Sequence, residues 1–402
     1  MRLEKLETFV VANPPPRHGG RYFIFVRLTT TCGITGVGEI YNATFGPDVC
    51  CAMARDMFAR HFENEDPARI ELLFRKAYGA GFTQRPDVSV MGTFSGLEMA
   101  CWDILGKAAD KPVHELLGGR VHDRLRSYSY IYPASGDVYP DPNTPNAYND
   151  ASIAAEVAVG MVEQGFTALK FDPAGPFTIF DGHQPRLEDI TRSVDFCREI
   201  RAAVGDRADL LFGTHGQFTV SGAKRLARAL EPYDPLWFEE PLPPESPADM
   251  AQVAAFTSIP VAAGERLCTK YEFARLLETG AASILQMNLG RVGGLMEAKK
   301  IAGMAETRQV QIAPHLYCGP IVAAANIQIA ACSPNFLILE SIGTFDGPYM
   351  QCVKGGIEWE DGYIIPSNKP GLGLEIDDEA VARMTYHSDE LHLDMAKAHV
   401  TP

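Results

Sequence analysis

Nine residues of this 402-residue chain stand at the ends of short apolar runs and carry groups able to move protons or hold cations: Lys170, Asp172, His215, Glu239, Glu240, Glu265, Asn288, His315 and Glu340. Any one of them alone reads as a solvated loop charge, a helix-start acid or a structural histidine. Taken together they form a pattern. Carboxylates delivered by several strand ends converge and repel one another, and a divalent cation is the simplest compensation. Hard oxygen donors without thiolates favour Mg²⁺ over Zn²⁺. His61, His114 and His392 fall outside such strand ends and read as structural.

The elements that must position these groups follow from the hydrophobic pattern. Residues 22–41, YFIFVRLTTTCGITGVGEIY, predict a hairpin turning at Thr31-Cys32-Gly33. From about Asp48 to Gly119 the period turns helical, and SGLEMACWDILGK carries apolar residues at 97, 101, 104 and 105. Beyond Arg126 come eight apolar runs: YSYIY, FTALKF, ADLLF, PLWFEE, IPVAAGE, ASILQMN, VQIAP and FLILE. Most are separated by helix-period segments, which predicts a (β/α)8 barrel. GRVGG at 290–294 lacks the spacing and position of a dinucleotide fingerprint. The expected organisation is an α+β capping domain over 1–125, a barrel over 126–353, and a segment 354–402 folding back on the cap. In a barrel of this kind the chemistry sits at the C-terminal ends of the strands. The irregular stretches 133–150 and 173–188 should overhang that mouth.

Composition narrows the function classes. With 51 Asp+Glu against 36 Lys+Arg, the formal charge is -15, which argues against a nucleic-acid partner. No apolar run reaches the ~20 residues of a membrane-spanning helix, and the start lacks the features of a signal peptide. Nine cysteines without a CxxC pair suggest reduced, mostly buried thiols. A cytoplasmic enzyme is the expectation.

The segments SGLEMACWDILGK (95–107), WFEEP (237–241), AAGERL (262–267), GRVGGLMEAKKIAGMAE (290–306) and APHLYCGPI (313–321) resemble the enolase superfamily. The likeness is to its mandelate racemase/muconate lactonizing group, and within that to sugar-acid dehydratases of the galactonate and mannonate type. The resemblance implies a capped, modified barrel in which a base removes the proton α to a carboxylate and a metal stabilises the enediolate. It places Glu239 and Glu265 on metal-ligand positions and His315 on the general-base position. Glu340 falls where relatives bind the substrate carboxylate, and His215 where the dehydratases protonate a departing β-hydroxyl. Lys170 stands where relatives carry lysine or another polar residue.

Three departures accompany the match. Gly213 occupies the place of a third metal-binding Asp, Asn288 replaces the Asp that pairs with the base, and Asp172 replaces a second lysine. An amide can orient imidazole but stabilises imidazolium poorly, so His315 should be a weaker base. Residues 170 and 172 share a strand face, as do 213 and 215. Asp172 is therefore the expected substitute metal ligand, with His215 the second candidate. Arg17, His18 and His183, on loops, and Asn288 are the candidate substrate contacts. The expected function is a Mg²⁺-dependent lyase converting an aldonate or aldarate to a 2-keto-3-deoxy acid, in a homo-oligomer. Epimerisation, cycloisomerisation and non-catalytic sugar-acid binding are the alternatives.

Overall fold

The structure, a computed structural model, describes residues 1–133, 137–141, 143–175, 178 and 182–393. Three antiparallel strands begin the cap: β1 (Leu3–Ala12), β2 (Tyr22–Thr30) and β3 (Thr35–Ile40). The expected hairpin is β2–β3, with Thr29 opposite Thr35. β1 was not legible beforehand. Helices α1 (Pro47–Met57), α2 (Ile70–Gly79), α3 (Val88–Ala109) and the short α4 (Val113–Leu116) follow. Asp87 caps α3 by accepting from the Ser89 and Val90 amides. This helix lies directly on the sheet, because a Cβ on Gly38 would come 1.9 Å from the Gly96 carbonyl oxygen.

The barrel strands are β4 (Leu125–Tyr130), β5 (Ala168–Phe171), β6 (Asp209–Gly213), β7 (Trp237–Glu239), β8 (Val261–Ala263), β9 (Ile284–Leu285), β10 (Gln311–Ile312) and β11 (Leu339–Ser341). Between them run α5 (Ala151–Gln164), α6 (Leu187–Val204), α7 (Val220–Leu230), α8 (Pro247–Ala254), α9 (Thr269–Thr279), α10 (Gly294–Glu306) and α11 (Pro320–Ala331). Neighbouring strands are parallel from β4 to β10, β11 pairs with β4, and an Ile312–Phe336 bridge closes the ring. All eight expected strands are present, but the eighth has no crossover helix after it. The barrel is (β/α)7β.

One residue from each strand or its flank fills the barrel axis: Tyr128, Ala168, Leu211, Trp237, Ala262, Ile284, Ala313 and Ile338 form a separate buried cluster. Large and small side chains mix in this layer, and Tyr128 meets Trp237 edge-on at 5.2 Å. The interior is thus a packed plug, so anything bound must lie above it.

After β11 come β12 (Val353–Lys354), β13 (Glu358–Glu360), β14 (Tyr363–Ile365), β15 (Glu375–Ile376) and α12 (Asp378–Arg383). This segment divides its contacts. β14 pairs antiparallel with β4, whereas the Leu372 amide donates to Asp103 Oδ1 of α3, and Thr385 bridges to Val11 of β1. Two buried cap carboxylates grip barrel helices. Glu39 accepts from the Gly319 and Val322 amides at the start of α11, and Glu98 from Leu295 and Met296 at the start of α10. The cap is thereby fixed over the barrel mouth. All nine cysteines are free thiols, and only Cys32 is exposed. Among the described residues no helix is long and apolar enough to cross a membrane.

Candidate active site

Side chains two residues apart on a strand point the same way. Two positions beyond the plug therefore comes a second inward layer: Tyr130, Lys170, Gly213, Glu239, Gly264, Gln286, His315 and Glu340. That layer is the polar site, and parity alone explains why these residues meet.

Lys170 is its centre. It is 2% exposed, and its Nζ donates to Glu239 Oε1 at 2.6 Å and lies 3.5 Å from Glu340 Oε1. Burial opposes the ammonium, but Glu239 and Glu340 outweigh it and hold the group protonated well past its ordinary range. The second oxygen of Glu239 accepts from Gln286 Nε2 at 2.7 Å. Glu340 accepts from the Leu316 amide at 2.7 Å, and burial raises its carboxyl. Beside this group Glu240 accepts from Arg266 Nε at 2.9 Å, and burial pushes its carboxyl up to about 7.

The two histidines have different partners. His315 Nδ1 accepts from Asn288 Nδ2 at 2.9 Å, while its Nε2 lies 3.2 Å from Glu265 Oε2. Burial pushes His315 down to about 4 against the attraction of Glu265. Burial would raise Glu265, but positive charge at His315, His215 and Lys170 holds it below the carboxylate range. His215 Nδ1 donates to Asp172 Oδ2 at 2.6 Å. Burial would lower this imidazole, yet Asp172 pushes it up to about 9. Asp172 itself is raised by burial.

The Mg²⁺ site implied by the resemblance would need several hard oxygen donors free to converge on one cation. Glu239 spends both oxygens on Lys170 and Gln286, Gly213 offers no carboxylate, and Asp172 is bonded to His215. Among the described residues no three His, Cys, Asp or Glu side chains form a set that could hold a metal ion. The residues do not fit the expected three-ligand site. Glu239, Glu265 and Asp172 are not brought together as such a set, because Asp172 turns to the neighbouring imidazole.

The loop candidates stand as follows. Arg17 pairs with Asp137 at 2.6 Å, and His18 stacks on Tyr132 with centroids 4.3 Å apart. Both line a cavity of about 270 Å³ with Thr344, Asp346 and Tyr349. His183 bridges to Phe218 on the loop after β6. Asn288 lies inside the site, against His315. Part of each overhanging stretch (134–136, 142, 176, 177 and 179–181) lies outside the described residues.

Sequence reasoning missed Gln286, Arg266 and a tyrosine-rich wall. Tyr130, Tyr132 and Tyr148 pack together, and Tyr139 and Tyr317 bring their hydroxyls within 3.4 Å. The parity that selects Glu239 and Glu340 would also have found Gln286. His392, read as structural, is buried between Tyr22, Tyr41 and Tyr317, at 5.5, 5.2 and 5.7 Å between centroids. Tyr41 in turn lies 6.4 Å from His315.

A (β/α)7β barrel under an α+β cap, with acid–base groups ringed above an apolar plug, defines a class with many known members. Residues 7–118 match the family model of the mandelate racemase/muconate lactonizing enzyme N-terminal domain, and residues 153–380 that of the enolase C-terminal domain-like family. The D-galactonate dehydratase of Ralstonia nicotianae is 35% identical over 95% of this chain and 94% of its own length. That of Klebsiella pneumoniae is 34% identical over 96% and 94%. Among solved structures, a mandelate racemase/muconate lactonizing enzyme from Sulfitobacter sp. is 53% identical, with a TM-score of 0.95 and 100% of both chains covered. A chain of the same description from Labrenzia alexandrii DFL-11 is 68% identical, with a TM-score of 0.96 and the same coverage. The protein belongs to the mandelate racemase/muconate lactonizing group of the enolase superfamily.

Proposed function

We propose that this protein is a carbon–oxygen lyase that dehydrates an acid sugar to a 2-keto-3-deoxy acid. The reading is supported by similarity to D-galactonate dehydratases along nearly the whole chain. The observation that carries it is the single polar layer holding a buried ammonium, with two imidazoles of different proton partners beside it. A proton α to a carboxylate is very weakly acidic, so its removal needs fixed positive charge where the enediolate forms. Lys170, preorganised between Glu239 and Glu340, is the residue suited to supply it. Imidazole is the group suited to handle the protons of the C2–H and of the departing C3 hydroxyl, each such step contributing roughly 10²–10⁴-fold. Tyrosines 130, 132 and 148, whose phenols burial keeps neutral, suit the hydroxyl-bearing face of an aldonate or aldarate. Incubation with a panel of acid sugars in D₂O, followed by NMR, tests the proposal. A 2-keto-3-deoxy product supports it. Deuterium at C2 with the carbon skeleton and hydroxyls retained would instead show an epimerase.

A further inference from the structure

The hydrogen bonds around the two histidines fix where each ring carries its proton. Asn288 Oδ1 accepts from the Gly290 amide at 2.9 Å, which sets the orientation of the side-chain amide. Its Nδ2 therefore faces His315 Nδ1, and an amide nitrogen can only donate. Nδ1 of His315 is then an acceptor, and the proton of the neutral ring sits on Nε2, toward Glu265 and Glu340. To take a proton at Nε2, His315 would need the opposite tautomer, which sets two N–H groups against each other. His215 is arranged the other way. Its Nδ1–H is held by the Asp172 carboxylate, which fixes the ring and stabilises the imidazolium formed when Nε2 takes a proton. Since Asp172 holds the ring protonated up to about 9, the accepting form is the neutral fraction, which grows as pH rises toward that value.

The geometry points to an exchange of roles. His215, paired with Asp172, is the general base that removes the C2 proton, and His315 is held by Asn288 as an Nε2–H donor to the substrate. The carboxylate partner of the base has moved from the segment after β9 to the segment after β5. This assignment rests on the dehydratase reading and deepens it. The C2–H bond breaks with its proton passing to His215 Nε2, and its electron pair enters the enediolate. Collapse of the enediolate breaks the C3–O bond, and His215 returns the proton to the departing hydroxide, which leaves as water. The resulting enol becomes the 2-keto acid by taking a proton from solvent at C3 and releasing its C2 hydroxyl proton to solvent. His315 keeps its Nε2–H throughout, as a hydrogen-bond donor to the carboxylate oxygen that gains charge. Elimination is then syn, with one residue handling both protons.

Two measurements on the whole protein test this. Imidazole ¹⁵N NMR at neutral pH, without substrate, should show His315 as the Nε2–H tautomer, and an Nδ1–H signal for His315 overturns the assignment. The second is C2 proton exchange in D₂O with a turned-over acid sugar. His315→Gln keeps an N–H donor but has no proton-accepting ring nitrogen, and should retain exchange within about tenfold of wild type. His215→Gln should lose it by roughly 10²-fold or more. Loss of exchange in a folded His315→Gln protein overturns the assignment, whatever His215→Gln does. Asp172→Asn provides a second arm, since an amide there would force the unproductive tautomer of His215, a change worth about 10⁴-fold in an Asp–His pair. Undiminished turnover in Asp172→Asn also overturns the role exchange. Absence of turnover by wild-type protein on any acid sugar would count against the dehydratase reading instead, while the NMR result still decides the tautomer.

Discussion

The Cβ that Gly213 lacks would lie 3.4 Å from Oδ2 of Asp172. The acid just after β5 thus stands against the place where a third carboxylate would begin on β6, and it points at His215 instead of into a metal set. Gly213→Asp should restore the missing donor and, by crowding two carboxylates, create a demand for a cation. Calorimetry should find Mg²⁺ binding strengthened by roughly tenfold or more over wild type. Dialysis of wild-type protein against EDTA should leave turnover nearly unchanged, since Lys170 already bonds Glu239. Equal Mg²⁺ affinity in both proteins would show that residue 213 has no bearing on metal binding.

Asp172 sets the charge of His215. In Asp172→Asn the burial of the ring should prevail, and the imidazole should titrate well below its present value of about 9. The sign of the linked stability follows. A histidine raised in the folded state contributes stability that is fully present below its unfolded value of about 6.5 and lost as pH rises through about 9. Melting temperatures between pH 6 and 10 (spanning roughly both values) should fall more steeply for wild type than for the variant. Parallel curves would refute the coupling.

Glu39 ties β3 of the cap to α11 of the barrel. Glu39→Ala strands two buried helix amides, each costing about 1–3 kcal/mol when unsatisfied. Urea unfolding should register the loss. Burial raises this carboxyl to about 8, so its contribution is present at acid pH and declines as pH rises from the ordinary carboxylate range through about 8. The gap between variant and wild type should narrow over that interval.

Gly20 makes room for His392. A Cβ there would fall 2.2 Å from His392 Nε2, with no space for both. Gly20→Ala should expel the ring from its tyrosine cage, and limited proteolysis should then cut near residues 386–392 faster than in wild type. Unchanged cleavage would mean that the ring can shift and stay docked.

Much of this arrangement was written locally. The eight barrel runs are short, apolar and mostly separated by helix-period segments, so strand period and punctuation exposed them even where, as in β9 and β10, only two residues pair. Parity gave the shared faces of 170 with 172 and of 213 with 215. It could not give the partner of Asp172, which depends on the register setting Phe171 opposite Phe212 across β5 and β6. β1 was hidden because its pattern of half-buried positions lacks clean alternation. The pairing of β14 with β4 and the docking of His392 were hidden for another reason. Both join residues more than two hundred positions apart, and no local propensity records such contacts.

The segment that carries His392 also bears on the order in which the site is completed. Thr385 pairs with Val11, and His392 is wedged against Tyr22 and Tyr41, so the earliest cap strands are completed by residues made long after them. On the ribosome the barrel strands and the cap hairpin all emerge before this wedge does. A nascent chain could therefore assemble most of its architecture while Tyr41, the neighbour of His315, still lacks its support. The site would gain its full support only once residue 392 had been made and docked.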